Sequence, residues 1–196
     1  METMNKIILG LDPGTATTGF GVVKDTKGQV EYVDCGCIIT TLKSISPARK
    51  ATLSVAGEPA RNAPVTTSQM LAGAGGPAER LLTIQKSLEI LIKKYQPDIL
   101  AVEKLFFTKN ITTAISVAEA RGVILVTAAK HNLEIAEYTP LQVKQTLTGY
   151  GKADKQQIQR MVKSILKLQS IPKPDDAADA LAIAICAVHH TVKVGC

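Results

Sequence analysis

Apolar residues along the chain fall into short blocks, and their spacing changes character partway through. Lys6 to Asp12 is a compact apolar run closed by the turn Asp12-Pro13-Gly14-Thr15. Thr18 to Lys24 follows, with Gly19 and Gly21 inside it, and beyond the polar turn Asp25-Thr26-Lys27-Gly28 a third run extends from Gln29 to Thr40 or Thr41. Short β-rich runs punctuated by Gly and Asp predict a meander of antiparallel strands. From Pro77 the period becomes helical. Leu81, Ile84, Leu88, Leu91, Ile92 and Tyr95 share one stripe, Pro77 suits a first turn and Pro97 forbids continuation. Ile99 to Glu103 is a continuous apolar strand, as expected where both faces of a sheet are covered.

Residues 110–131 predict a helix that is apolar around most of its circumference, so it must be covered on more than one side, by the core or by a partner subunit. Ile135 to Tyr138 is a short strand, and further helices are expected over about Asp154–Leu168 and Asp175–Thr191. Antiparallel strands followed by βα alternation imply an α/β fold, a mixed five-stranded sheet with helices on both faces. In such sheets ligands gather beyond the carboxyl ends of the central strands. Residues 44–76 break the pattern: they have no aromatic residue, are rich in Ala, Gly, Ser, Thr and Pro, and sustain no period. A segment of this kind reads as a flexible insertion within a single domain spanning 1–196.

Composition narrows the class. The 196 residues are 45% hydrophobic and 20% charged, which excludes wholesale disorder. No apolar run approaches the ~20 residues of a membrane span. The run Ile7-Ile8-Leu9 is cut short by Asp12 and Pro13, so it is not a signal-peptide core. A cytoplasmic protein without a membrane partner is expected. The net charge of +6 suits a polyanionic partner. Cys35, Cys37, Cys186 and Cys196 form no CxxC unit and read as reduced thiols rather than a zinc site.

The chemistry is carried by acids. Asp12 and Glu103 each end an apolar strand, where a carboxylate is costly unless something pairs with it or binds it. Asp176 and Asp179 stand three apart at the start of the last helix, on one face and at its positive end. Each has a plain structural role open to it: Asp-Pro-Gly is a turn sequence, and Asp176 with Asp179 could be a cap and its partner. If the two strands are neighbours, however, four carboxylates converge and would repel one another unless protonated or neutralised by a cation. Oxygen-only donors select Mg²⁺ or Mn²⁺ over zinc, and two such ions suit phosphodiester cleavage.

These residues also carry a family resemblance. Ile8-Leu9-Gly10-Leu11-Asp12-Pro13-Gly14-Thr15 with Gly19-Phe20-Gly21-Val22 resembles the opening of the RuvC family of Holliday-junction resolvases. Ala101-Val102-Glu103-Lys104-Leu105-Phe106-Phe107 is similar to its second acidic motif. Ala120-Arg121-Gly122-Val123, Val143-Lys144-Gln145 and Thr148 to Lys155 are similar as well, and Asp176-Ala177-Ala178-Asp179-Ala180-Leu181-Ala182 matches its last motif. The resemblance runs in order from about Lys6 to His189, and the long 44–76 segment departs from it. It implies a ribonuclease-H-like fold, a homodimer, and a crossover junction endodeoxyribonuclease that resolves four-way junction DNA by paired symmetric nicks in recombination and repair.

By match, Asp12, Glu103, Asp176 and Asp179 would be the catalytic acids and the ligands of Mg²⁺, two ions per subunit, with Mn²⁺ a substitute. Asp175 competes with Asp176 by spacing, but the motif register favours Asp176 and makes Asp175 the cap. A branch-migration motor, RuvA–RuvB, is the implied partner.

Lys155, Gln159, Lys163 and Lys167 lie at steps of four on one helical face, with Lys144 and Lys152 before them. Such a face could track phosphates or simply be solvated. The resemblance makes Lys144, Lys152 and Lys155 expected DNA contacts and Phe106 an aromatic on which distorted bases stack. Of the two neighbouring aromatics, Phe107 is expected to be the more buried. Two other nucleic-acid readings stay open, a related nuclease acting on structured RNA in ribosomal RNA maturation and a junction-binding dimer that does not cut. An actin-like ATP module, which shares the Asp-x-Gly-Thr turn, needs a second such repeat that the chain lacks.

Overall fold

The computed structural model describes residues 5–40, 76–105 and 111–191. Strands β1 (Lys6–Asp12), β2 (Thr17–Thr26) and β3 (Gln29–Ile39) are followed by helix α1 (Pro77–Tyr95), strand β4 (Ile99–Glu103), helix α2 (Ile111–Lys130), strand β5 (Glu134–Tyr138) and helices α3 (Pro140–Thr148), α4 (Lys155–Ile165) and α5 (Asp175–Thr191). The five strands form one sheet in the order β3-β2-β1-β4-β5. β1, β2 and β3 pair antiparallel, while β4 pairs parallel with both β1 and β5. The expected mixed sheet is therefore present, with β1 and β4 side by side at its centre.

Alternation along the strands divides the core in two. Leu9, Leu11, Phe20, Val22, Leu100 and Val102 pack beneath α1 and α2. Ile8, Val23, Ile99 and Ala101 face α3, α4 and α5 on the other side. On α1 the buried face holds Ile84, Leu88, Leu91 and Ile92, most of the predicted stripe. On α2, Ala120, Ile124 and Ala128 are buried, whereas Ile115 and Val126 are 58% and 70% exposed. The core thus covers one side of this apolar helix and leaves another open.

Helix α5 lies close against the sheet, and three glycines make that possible. A Cβ on Gly10 would sit 2.3 Å from the Ala180 carbonyl oxygen, one on Gly19 2.0 Å from that of Asp176, and one on Gly21 2.7 Å from the Leu181 nitrogen. Gly10 and Gly21 are cross-strand partners, and Gly19 is opposite Asp12. The glycines form a bare track on which the alanines of α5 rest, backbone against backbone. Ala177, Ala178, Ala180 and every residue from Leu181 to Val188 are buried.

Three expectations are corrected. The stretch 140–148 was not anticipated as a helix, yet Thr139 and Gln142 form a reciprocal capping box, Pro140 opens the first turn, and Gly149 closes α3 at φ 72°. The helix expected to reach Leu168 ends at Ile165, Leu166 caps it, and Lys167 turns left-handed at φ 52°. Gln159 also leaves the expected solvated face: it is only 6% exposed, because it faces the body of the domain beside Ile158 and Val162.

Candidate active site

The carboxyl ends of β1 and β4 and the amino end of α5 meet at one edge of the sheet. Asp12 is the last residue of β1, Glu103 the last of β4, and Asp176 the second residue of α5. Carboxylate oxygens of Asp12, Asp176 and Asp179 all lie within 4.8 Å of one another. Asp12, Glu103 and Asp179 line a cleft of about 230 Å³ together with Lys144 and Lys155. Three of the four predicted acids form one tight group, and Glu103 faces them across the same cleft. Asp175, the competitor, stays outside. It is not a cap but the first helical residue, and its carboxylate pairs with Lys173 at 2.8 Å and Lys155 at 3.7 Å.

Burial and like charge dominate the electrostatics. The Asp12 carboxyl is pushed up to about 7, first by burial and then by Glu103, Asp179 and Asp176, with the Lys155 ammonium opposing them. Glu103 is raised by burial and by Asp179, against the pull of Lys144. Asp179 is raised by burial although Lys155 donates to it at 3.0 Å. Partly buried acids held this close are short of positive charge. A hard divalent cation satisfies such an all-oxygen donor set, and the residues fit one.

The predicted basic residues separate. Lys155, though half exposed, reaches Asp179 at 3.0 Å, and Lys144 lines the cleft from α3. Lys152 is exposed in the turn between α3 and α4. Phe106 and Phe107 lie outside the described residues. Arg121 on α2 enters the sequence reading only within the Ala120-Arg121-Gly122-Val123 resemblance, with no role of its own. Its Nε–H donates to the Glu103 carbonyl oxygen at 3.2 Å, and its other end forms an ion pair with Glu137.

This strand order, with clustered acids at the ends of its two central strands, defines a nuclease of the ribonuclease-H-like class. Comparison with known proteins narrows the class. The family model for crossover junction endodeoxyribonuclease RuvC matches residues 8–57 and 44–187. Curated relatives named crossover junction endodeoxyribonuclease RuvC include that of Syntrophomonas wolfei, 43% identical over 93% of this chain and 88% of its own. That of Alkaliphilus oremlandii is 45% identical over 93% of each chain. Among solved structures, Thermus thermophilus RuvC in complex with a Holliday junction substrate superposes with a TM-score of 0.74 at 28% identity, covering 96% of both chains. The chain belongs to the RuvC family of crossover junction endodeoxyribonucleases.

Proposed function

We propose that this chain resolves Holliday junctions, cutting four-way DNA by paired symmetric nicks that leave 5′-phosphate and 3′-hydroxyl ends. The observation that carries the reading is the convergence of Asp12, Asp176 and Asp179 within 4.8 Å, with Glu103 in the same cleft. These four acids would hold two Mg²⁺ ions, replaceable by Mn²⁺, which would supply Lewis-acid activation of water and neutralise charge at the scissile phosphate. The protein's own part is placement. β1 and β4 deliver Asp12 and Glu103 from the sheet, and the glycine track holds α5 at the height that aligns Asp176 and Asp179 with them.

Lys155 supports the site by supplying positive charge next to Asp179, and Lys144 does the same opposite Glu103. With Lys152 on the rim, they form a path for the DNA backbone, whose contacts make affinity fall steeply with salt. Phe106, three residues past the end of β4 in the sequence, is assigned to base stacking on family resemblance alone.

A four-way junction has two-fold symmetry, so a homodimer would set one cleft on each of two like strands. The exposed stripe Ile115, Glu119, Gly122 and Val126 along α2 supports this helix as the dimer contact. The family resemblance adds the motor RuvA–RuvB as a partner, and free thiols at Cys35, Cys37 and Cys186 accord with a cytoplasmic setting. Residues 44–76 are read as an insertion in a single nuclease domain, supported by the family match breaking and restarting between 44 and 57.

The test is Mg²⁺-dependent nicking of a synthetic four-way junction against linear duplex and structured RNA of equal length. Paired nicks in the junction alone are expected. Equal cutting of duplex, or preference for RNA, overturns the assignment.

A further inference from the structure

Arg121 sits where neither the acids nor the DNA path accounts for it. It projects from α2, on the sheet face opposite α5, and is 17% exposed. One part of its guanidinium holds the backbone carbonyl of Glu103, and another pairs with the carboxylate of Glu137 on the neighbouring strand β5. Glu103 itself lies opposite Tyr138 in the β4–β5 register, and the Lys104 N–H donates to the Tyr138 carbonyl at 2.8 Å. The strand ends there, so these contacts fix the last residue of β4 from the side away from the cleft. An Arg fork with two partners is rigid in a way that one hydrogen bond is not.

We propose that Arg121, braced by Glu137, is a positioning residue for Glu103, setting the direction in which its carboxylate enters the metal cleft. The inference rests on the reading of Glu103 as a metal ligand. It follows from the geometry that losing the brace costs metal affinity and turnover rather than junction affinity. Loss of a group that orients a metal ligand typically lowers metal affinity or activity by about 10–100-fold.

Arg121→Lys is the informative variant, because an ammonium can keep the pairing with Glu137 but lacks the planar fork whose separate nitrogens hold Glu137 and the Glu103 carbonyl at fixed spacing. Arg121→Gln and Glu137→Gln complete the set, the last leaving the Arg121–Glu103 contact in place but unbraced. Two readouts are needed: the Mg²⁺ midpoint of junction nicking, and the thermal shift that Mn²⁺ produces in DNA-free protein. Arg121→Lys is expected to melt close to the parent while its Mg²⁺ midpoint rises about tenfold or more and its Mn²⁺ shift shrinks. Junction binding measured in EDTA should be unchanged, and Glu137→Gln should show a smaller displacement in the same direction.

A parent-like metal midpoint in Arg121→Lys, or a lowered melting temperature with unmoved metal response in all three variants, overturns the proposal and leaves Arg121 a structural tie. Should Arg121→Gln not fold, the other two variants decide. If instead Glu103→Gln retains the parent's metal response, the reading of Glu103 as a ligand has failed, which is a different result.

Discussion

Replacing Asp12 by Asn should make the metal-free protein more stable at alkaline pH while removing its activity. Asp12 rises from an ordinary 3.8 to about 7 because it is buried among Glu103, Asp179 and Asp176. Between those two values the folded state keeps a proton that the unfolded chain has released. Stability therefore falls as pH rises through that window and levels off above it. A displacement of about three pKa units corresponds to roughly 4 kcal/mol above pH 7, a large share of the ~5–15 kcal/mol that holds a domain together.

Asn is nearly isosteric and uncharged, so Asp12→Asn should recover on the order of 2–4 kcal/mol at pH 8, the lower figure allowing for amide hydrogen bonds the cleft cannot satisfy. Below pH 4 the two proteins should be alike. Added Mg²⁺ should close most of the gap: the parent gains about 2.7 kcal/mol at a hundred times its dissociation constant, and the variant gains little. Urea unfolding at pH 4, 6 and 8, in EDTA and in Mg²⁺, measures each quantity. A variant less stable than its parent in EDTA at pH 8, or one that responds to Mg²⁺ as the parent does, would refute the account of a charge-starved cluster.

The track beneath α5 predicts that Gly19→Ala lifts Asp176 away from Asp12, since the added Cβ falls 2.0 Å from the Asp176 carbonyl oxygen; nicking should drop by two orders of magnitude or more, with about 1–3 kcal/mol lost in urea unfolding. Val126→Glu, at a position 70% exposed on α2, should sediment as a monomer at micromolar concentration and lose paired nicking, whereas a dimeric variant would clear α2 of that role. Lys152→Ala should weaken junction binding evenly across sequences and flatten its salt dependence by about one phosphate contact, read from titrations at several salt concentrations.

The fold was legible where periodicity was strong and local. Ile99 to Glu103 has the buried-strand pattern, and the stripe from Leu81 to Ile92 has no competing period, so both elements appear where expected. Helix α3 escaped because nine residues with only Val143 and Leu147 buried make too little pattern; its signal lay in the cap, Thr139 through Gln142, and in Gly149. The acids were legible singly as charges that end apolar runs, yet nothing local places β4 beside β1. That pairing is between segments about ninety residues apart, and only the motif order carried it. The role of Arg121 was illegible for the same reason: a cation in the middle of a mostly apolar helix has no meaning until β4 and β5 supply its two partners. Gln159 was misread because a step of four tracks a helix face but does not say how wide the buried face is.

The site's geometry and its electrostatics make opposite demands on the fold, and α5 is where they are reconciled. Bringing Asp176 and Asp179 to Asp12 concentrates negative charge, which by itself would push the helix off the sheet. What holds it is apolar and short-ranged. Side chains from Ala177 to Val188 are almost all inaccessible to solvent except Asp179, and the helix backbone touches Gly10, Gly19 and Gly21 directly. Contacts at that distance are steep, so α5 cannot retreat by a fraction of an ångström without losing many of them at once. The repulsion is therefore stored in shifted proton affinities rather than relieved by movement. A dication in the cleft would relieve more of that stored cost than a monovalent ion, and a looser, more comfortable packing of α5 would weaken the site even with every carboxylate still present.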